Sequence, residues 1–452
     1  MLLADLHSAS GAADTTRELW PLLGELYPLC RSITGNGVRQ TLDRMARYLP
    51  FERTEVPSGT PAFDWEIPRE WNVRDAYVAE VSGRRVIDFQ QHSLHLLNYS
   101  VPVRKTMTLE ELQPHLYSLP QQPDWIPYRT SYYREQWGFC LRHRDRIALG
   151  PGPYEVVIDS TLAPGSLTYA EHRVPGTGNG EAIVYTHTCH PSLANDNLTG
   201  LVAALALARA MKMQKPRLTW HFIFGPGTIG SLAWLSRNEA SVPKIRGGLV
   251  TGLLGDPGAL TYKRSRRGTT PTDRAVAYAL AKLGAPHRLT EFEPYGYDER
   301  QFCSPGFDLP VGRLTRSPNG QYPEYHSSGD DLTLISEGQL AESIRALAHV
   351  IGVLDENRTV INLLPKGEPR LGKRGLYGNV GGGAPAEFEH ALLWVLSLSD
   401  GGPDLLAIAE RSGLDFYLIA RAAAALEDRQ LVRTCAPATQ QVSRKDEMGV
   451  LG

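Results

Sequence analysis

Residues 182–200 read A-I-V-Y-T-H-T-C-H-P-S-L-A-N-D-N-L-T-G. An apolar run ends at His187, His190 follows three residues on, and Asp196 lies in a polar turn before the Ala/Leu-rich segment 201–211. This order predicts a strand, a loop and a helix. It puts two imidazoles at the C-terminal edge of the strand and a carboxylate at the mouth of the helix. In open α/β sheets that edge is where ligands bind. Neutral imidazole with carboxylate is a donor set that suits zinc. His190, followed by Pro191, reads equally as a ligand, as a hydrogen-bonding support for a ligand, or as part of a plain turn.

Other stretches offer further donors. Asp256 closes the apolar run 249–254, at another strand end. Residues 324–331, E-Y-H-S-S-G-D-D, bring His326 into a late polar turn with Tyr325 beside it. Tyr325 reads as a donor to a developing oxyanion or as a packing residue. Asp298 and Glu299 form an acidic pair that could supply a base or bind a substrate amine; the alternative is a solvated charge cluster. Lys263, Arg264, Arg266 and Arg267 form a basic run, and Arg316 lies ten residues before His326. Any of these could bind a substrate carboxylate or phosphate, or simply face water.

In combination, H-T-C-H-P-S-L-A-N-D-N, the strand-end Asp256 and Y-P-E-Y-H-S-S resemble the co-catalytic zinc aminopeptidase superfamily, which includes glutamate carboxypeptidase-type enzymes and glutaminyl cyclases. The match is closer to bacterial aminopeptidase-like proteins with an inserted β domain and a C-terminal winged helix, and it spans roughly residues 15–435. The resemblance implies His187 as a first zinc ligand, Asp196 as a bridging carboxylate, Asp256 as a later ligand and His326 as a late one. It implies zinc as cofactor, one or two ions. It also exposes a departure. Relatives carry a glutamate in the strand-to-helix turn that here reads P-G-T-I-G-S, so Gly227 stands where the general base is expected. Cys189 stands where an aspartate normally supports the first histidine.

These residues need a scaffold. Apolar runs at 182–185, 218–224, 247–253 and 311–314 alternate with helical spacing at 201–212, 230–238, 273–283 and 336–354. That alternation predicts an α/β fold, a mainly parallel mixed sheet sandwiched by helices. Residues 154–160 read as its first strand. Helical spacing at 15–30 and 38–49 opens the chain, after a disordered first dozen residues. Residues 56–152 are rich in Pro, Trp, Tyr and His, with short alternating runs, and predict an inserted β-rich domain. Its aromatic-polar segments 92–99 and 132–138 read as a small core, or as a wall leaning over the site that supplies His95, Tyr132 or Arg134. A Gly-rich stretch at 365–385 precedes three short helical patterns and a small wing, the outline of a winged helix. The expected domains are 1–55 plus 153–384, 56–152, 385–436, and a tail at 437–452.

Composition narrows the function. The chain has 452 residues, a net charge of −2 and five scattered cysteines without a C-x-x-C pair. This predicts reduced thiols and a cytoplasmic protein, with neither a membrane nor a nucleic-acid partner. Residues 386–435 carry eight acids and four arginines, a net −4, which disfavours phosphate contact. The expected partner is a small molecule or short peptide; a homo-oligomer stays open. The leading expectation is a zinc-dependent hydrolase of an amide bond in a small peptide or aminoacylated metabolite, with a degraded base motif. The alternatives are a repurposed metal-dependent cyclase or acyl transferase in small-molecule biosynthesis, or an inactive scaffold.

Overall fold

The structure, a computed structural model, describes residues 2–376 and 386–435. The expected tail and the later part of the Gly-rich stretch lie outside the described residues. The chain forms two compact units, Met1–Asp355 and Glu356–Gly452.

The first unit is built on an eight-stranded sheet. In chain order its strands are β1 (Glu52–Pro57), β2 (Ser166–Val174), β3 (Glu181–His187), β4 (Thr219–Gly225), β5 (Ile245–Thr251), β6 (Leu260–Lys263), β7 (His287–Thr290) and β8 (Val311–Thr315); in space they run β1-β2-β4-β3-β5-β8-β6-β7. The four central strands β4, β3, β5 and β8 are parallel. β2 pairs antiparallel with β4, and β6 antiparallel with β8. Every residue of β3 and β4 is buried, as expected for strands covered on both faces. The covering helices include α1 (Ala9–Leu26), α2 (Asn36–Ala46), α3 (Gly200–Lys212), α4 (Ile229–Arg237), α5 (Pro271–Leu283) and α6 (Glu337–Glu356). α3 is buried all round except near Arg209 and Lys212, so its Ala/Leu composition reports a central helix rather than an amphipathic one.

Two expectations are corrected, and one strand escapes the sequence pattern. The first residues are ordered: Leu3–His7 forms a turn, Ser8 caps α1 by accepting from the Gly11 amide, and Leu3 and Leu6 are buried. Two leucines spaced to one face suffice to dock the segment. Second, Tyr154–Ala163 does not open the main sheet. It is the centre of a separate four-stranded antiparallel sheet, pairing with Glu70–Glu80 and Val103–Met107. Its β-branched content signals a strand but not a partner. Ser166–Val174, with His172 and Arg173 among its residues, is a main-sheet strand that the apolar pattern hides.

The second unit holds Thr359–Asn362, flanked antiparallel by Asp400–Asp404 and Val432–Thr434, with helices Glu387–Leu398, Leu405–Ser412 and Phe416–Asp428. Its own core includes Leu392, Val395, Leu406, Ile408, Phe416, Ile419 and Leu426.

Candidate metal centre

β3 ends on His187, fully buried beside β4 and β5. The chain then turns through His190 into an irregular turn, Ala194–Thr199, that carries Asp196 to the mouth of α3. The turn is held by its own polar groups. Asn195 and Asp196 donate their amides to the Asp330 carboxylate at 2.6 and 2.9 Å. The Asn197 amide group donates to the His187 carbonyl at 3.1 Å. The buried Arg31 donates from Nε to the His190 carbonyl at 2.8 Å and from Nη1 to the Leu26 carbonyl at 2.5 Å.

His187 Nε2 lies 2.8 Å from Asp196 Oδ1 and 3.0 Å from His190 Nδ1. One ligand atom from each of these three residues falls within 4.8 Å of the others, the one such group among the described residues. His326 approaches from the far side, with Nε2 3.2 Å from Asp196 Oδ2. The two atoms face each other at that distance outside good hydrogen-bond geometry, and neither has another partner, although both are buried. Burial lowers the His187 pKa to about 4 and also lowers that of His326. Both rings are therefore neutral near pH 7, the form that binds a metal.

The expected Asp256 is not part of this group. Its Oδ1 accepts from Ser317 Oγ at 2.5 Å and the Gly258 amide at 2.8 Å, and its Oδ2 accepts from Asn195 Nδ2 at 2.9 Å. It ties loops together behind the ligand turn.

Gly227 is explained by a neighbour. A Cβ at this position would lie 2.4 Å from both Cε1 and the hydroxyl of Tyr297. The Tyr297 ring occupies the space a longer side chain would need. It packs 4.1 Å from the His187 ring, its hydroxyl is 3.2 Å from His190 Nε2, and Cys189 Sγ lies 3.6 Å away. Asp298 follows it in sequence and is buried; Oδ1 accepts from the Thr228 amide and Ser231 Oγ, both at 2.7 Å, while Oδ2 has no partner. Burial pushes the Asp298 pKa up to about 7. Glu299 is already used: it pairs with Lys263 at 2.5 Å and accepts the Tyr297 amide.

Tyr325 stacks on His326 with 3.9 Å between ring centroids. The inserted segment does reach the site, through a residue not anticipated. Tyr128 donates its amide to the His326 carbonyl at 2.7 Å, and its ring meets those of His190 and His326 edge-on, with centroids 5.1 Å apart in each case. Tyr132 is one step back, 3.0 Å from the Tyr128 hydroxyl. His95 is bound to the Cys140 carbonyl, and Arg134 is exposed. Arg316 is buried against Glu342 and the Gly258 carbonyl. Arg264 pairs with Glu291, and Arg266 with Asp308. None of these five is brought to the cluster.

Two residues that the sequence reading passed over border the site: Tyr297 and Arg313, whose guanidinium faces the Tyr297 ring at 5.6 Å. A signal for Arg313 existed, because an arginine inside V-G-R-L-T interrupts an otherwise apolar strand. Tyr128 carries no such signal, since its position depends on how the insertion folds back.

Comparison with known proteins agrees with this architecture. A family model described as a domain of unknown function (DUF4910) matches residues 20–357, and a winged helix-turn-helix model matches residues 358–434. A Clostridium acetobutylicum protein is 47% identical over 423 residues, 93% of this chain and 97% of its own; its name provisionally assigns it to polysaccharide biosynthesis, with an aminopeptidase-like domain. A crystal structure from the same organism, provisionally described as a peptidase, is 45% identical, has a TM-score of 0.86, and covers 94% of this chain and 98% of its own. The zinc aminopeptidase BSAP of Bacillus subtilis shares the fold at 14% identity, with a TM-score of 0.55 over 76% of this chain and 94% of its own. The chain belongs to the DUF4910 family, an aminopeptidase-like α/β fold followed by a winged helix-turn-helix.

Proposed function

We propose that this chain is a single-zinc hydrolase of an amide bond in a small peptide or aminoacylated metabolite. The observation that carries this reading is the convergence of His187, His190, Asp196 and His326, with Asp196 Oδ2 and His326 Nε2 poorly aligned at 3.2 Å and given no other partner. Such atoms are costly unless something binds them. Three imidazoles and a carboxylate suit zinc better than a hard cation, so the residues present fit the metal. Bound zinc would polarise a carbonyl and lower the pKa of a water.

The chain's own groups supply the rest. Asp298 replaces the missing glutamate as proton acceptor, through its unpartnered Oδ2. Tyr297 stays protonated, because burial raises its pKa well above the usual range, and its hydroxyl can donate to a substrate oxygen. Tyr128 and Tyr325 wall the cluster and limit water.

The test begins with metal analysis of the purified protein. One zinc per chain is expected, lost in His187→Ala and Asp196→Ala. A screen of aminoacyl amides should then show hydrolysis, with kcat reduced about 10²–10⁴-fold in Asp298→Asn. Metal retained in both ligand variants would sink the site assignment. Tyr297 in the space of the expected glutamate favours a second reading, in which the site is repurposed. Full zinc without hydrolysis would select the cyclase or acyl-transferase reading, and no zinc the scaffold.

A further inference from the structure

Arg313 lies on β8, two residues before the strand end, on the same sheet edge as His187. It is 5% exposed. Its Nη2 donates to Asn319 Oδ1 at 2.7 Å, and its Nε has no hydrogen-bond partner. No ion pair of the described residues includes it. Arg31 donates twice to backbone carbonyls and keeps one unpartnered nitrogen away from the Tyr297 ring, and Arg316 is paired with Glu342.

Its acidic neighbours are Glu299 and Asp298, and neither is hydrogen-bonded to it. Lys263 stands directly opposite Arg313 across the β6–β8 pair, and it holds Glu299 at 2.5 Å. Glu299 thus faces two cations, and the buried Asp298 acts on Arg313 only through space, without a hydrogen bond. The guanidinium lies over the Tyr297 ring at 5.6 Å, and the same ring packs against the rings of His187 and His190. Tyr297 and His326 are both partly exposed, so the site opens to solvent beside it. A buried guanidinium with an unpartnered N–H and no direct ion pair favours a ligand that accepts from it. A guanidinium fork matches a carboxylate better than a point charge does.

We propose that Arg313 anchors a free carboxylate of the substrate, across Tyr297 from the His187–His190–Asp196–His326 cluster, so that the site takes amides that also carry a carboxylate. This rests on the hydrolase reading only for the amide; the anion subsite stands on Arg313 itself.

The test uses the full chain and three probes measured by calorimetry. Succinic acid monohydroxamate and butyrohydroxamate differ in the carboxylate and share the metal-binding group. Succinate is titrated against metal-free protein. The zinc-loaded chain should bind the acidic hydroxamate about ten- to a hundredfold more tightly than the neutral one, the range of one charge-assisted contact. Arg313→Gln should abolish that preference, and Arg313→Lys should keep part of it. Zinc content and butyrohydroxamate affinity report whether each variant is folded. Succinate binding should also be lost in Arg313→Gln. Equal affinity for the two hydroxamates in the unaltered chain, or an unchanged preference in Arg313→Gln, would overturn the proposal. A chain that binds no zinc would instead defeat the hydrolase reading and leave the succinate titration to decide this one: saturable binding lost in Arg313→Gln upholds it, and no binding overturns it.

Discussion

At the scale of residues, the site is defined as much by exclusion as by convergence. Tyr297 fills the space beside Gly227, so a glutamate restored there cannot simply regain a base. Gly227→Glu should destabilise the protein by about 1–3 kcal/mol, as overpacking does, without raising amide hydrolysis. Thermal melts and the aminoacyl-amide assay check both halves. In combination with Tyr297→Ala, the loss should be smaller than the sum of the two single changes. A gain of hydrolysis in Gly227→Glu alone would show that Tyr297 yields easily. Asp256 makes the complementary case. It accepts from Ser317, Gly258 and Asn195, so Asp256→Ala strands several buried donors. It should cost about 2–4 kcal/mol of stability while one zinc per chain is retained. Loss of zinc with a normal denaturation midpoint would make Asp256 a ligand after all.

At the scale of elements, the inserted sheet is tied to the main one by an ionic clasp. Arg39 of α2 forks onto Glu70 at 2.7 and 2.8 Å, and Glu70 also accepts the Ser166 amide at the start of β2. The Arg39 hydrogen bonds hold the Glu70 pKa down at about 2, below its ordinary 4.5. A carboxylate whose pKa is depressed by folding contributes stability that is complete above its unfolded pKa. That contribution is lost as pH falls through the folded value. The slope of stability against pH between about 4.5 and about 2 should therefore flatten in Glu70→Gln, as read from urea midpoints across that window. An unchanged slope would assign the acid sensitivity to other carboxylates. The clasp matters to the site because the same insertion carries Tyr128 to His326.

At the scale of the whole molecule, the winged helix-turn-helix unit raises the question of nucleic acid. Its stretch 386–435 is net −4, and duplex binding needs cations that neutralise phosphates. The full chain should show no mobility shift of random duplex DNA at low salt; a shift that weakens with added salt would refute this. The alternation of apolar runs with helical spacing was enough to announce the α/β class, since periodicity is local. The convergence of His187, Asp196 and His326 was legible because motif spacing records the order of strand ends along one sheet edge. Asp256 satisfied the same rule, yet its carboxylate is consumed by Ser317 and Asn195, a competition between partners distant in sequence. Strand Tyr154–Ala163 was recognised as a strand but not as part of the inserted sheet, because β-branched residues fix a conformation and not a neighbour. Tyr297, Tyr128 and Arg313 join the site only when a loop, an insertion and a strand close on the same edge. Spacing along the chain determined which groups could bind a metal. Long-range packing alone decided that Tyr297 stands in place of the expected base and that the Arg313 guanidinium lies buried without a directly paired carboxylate.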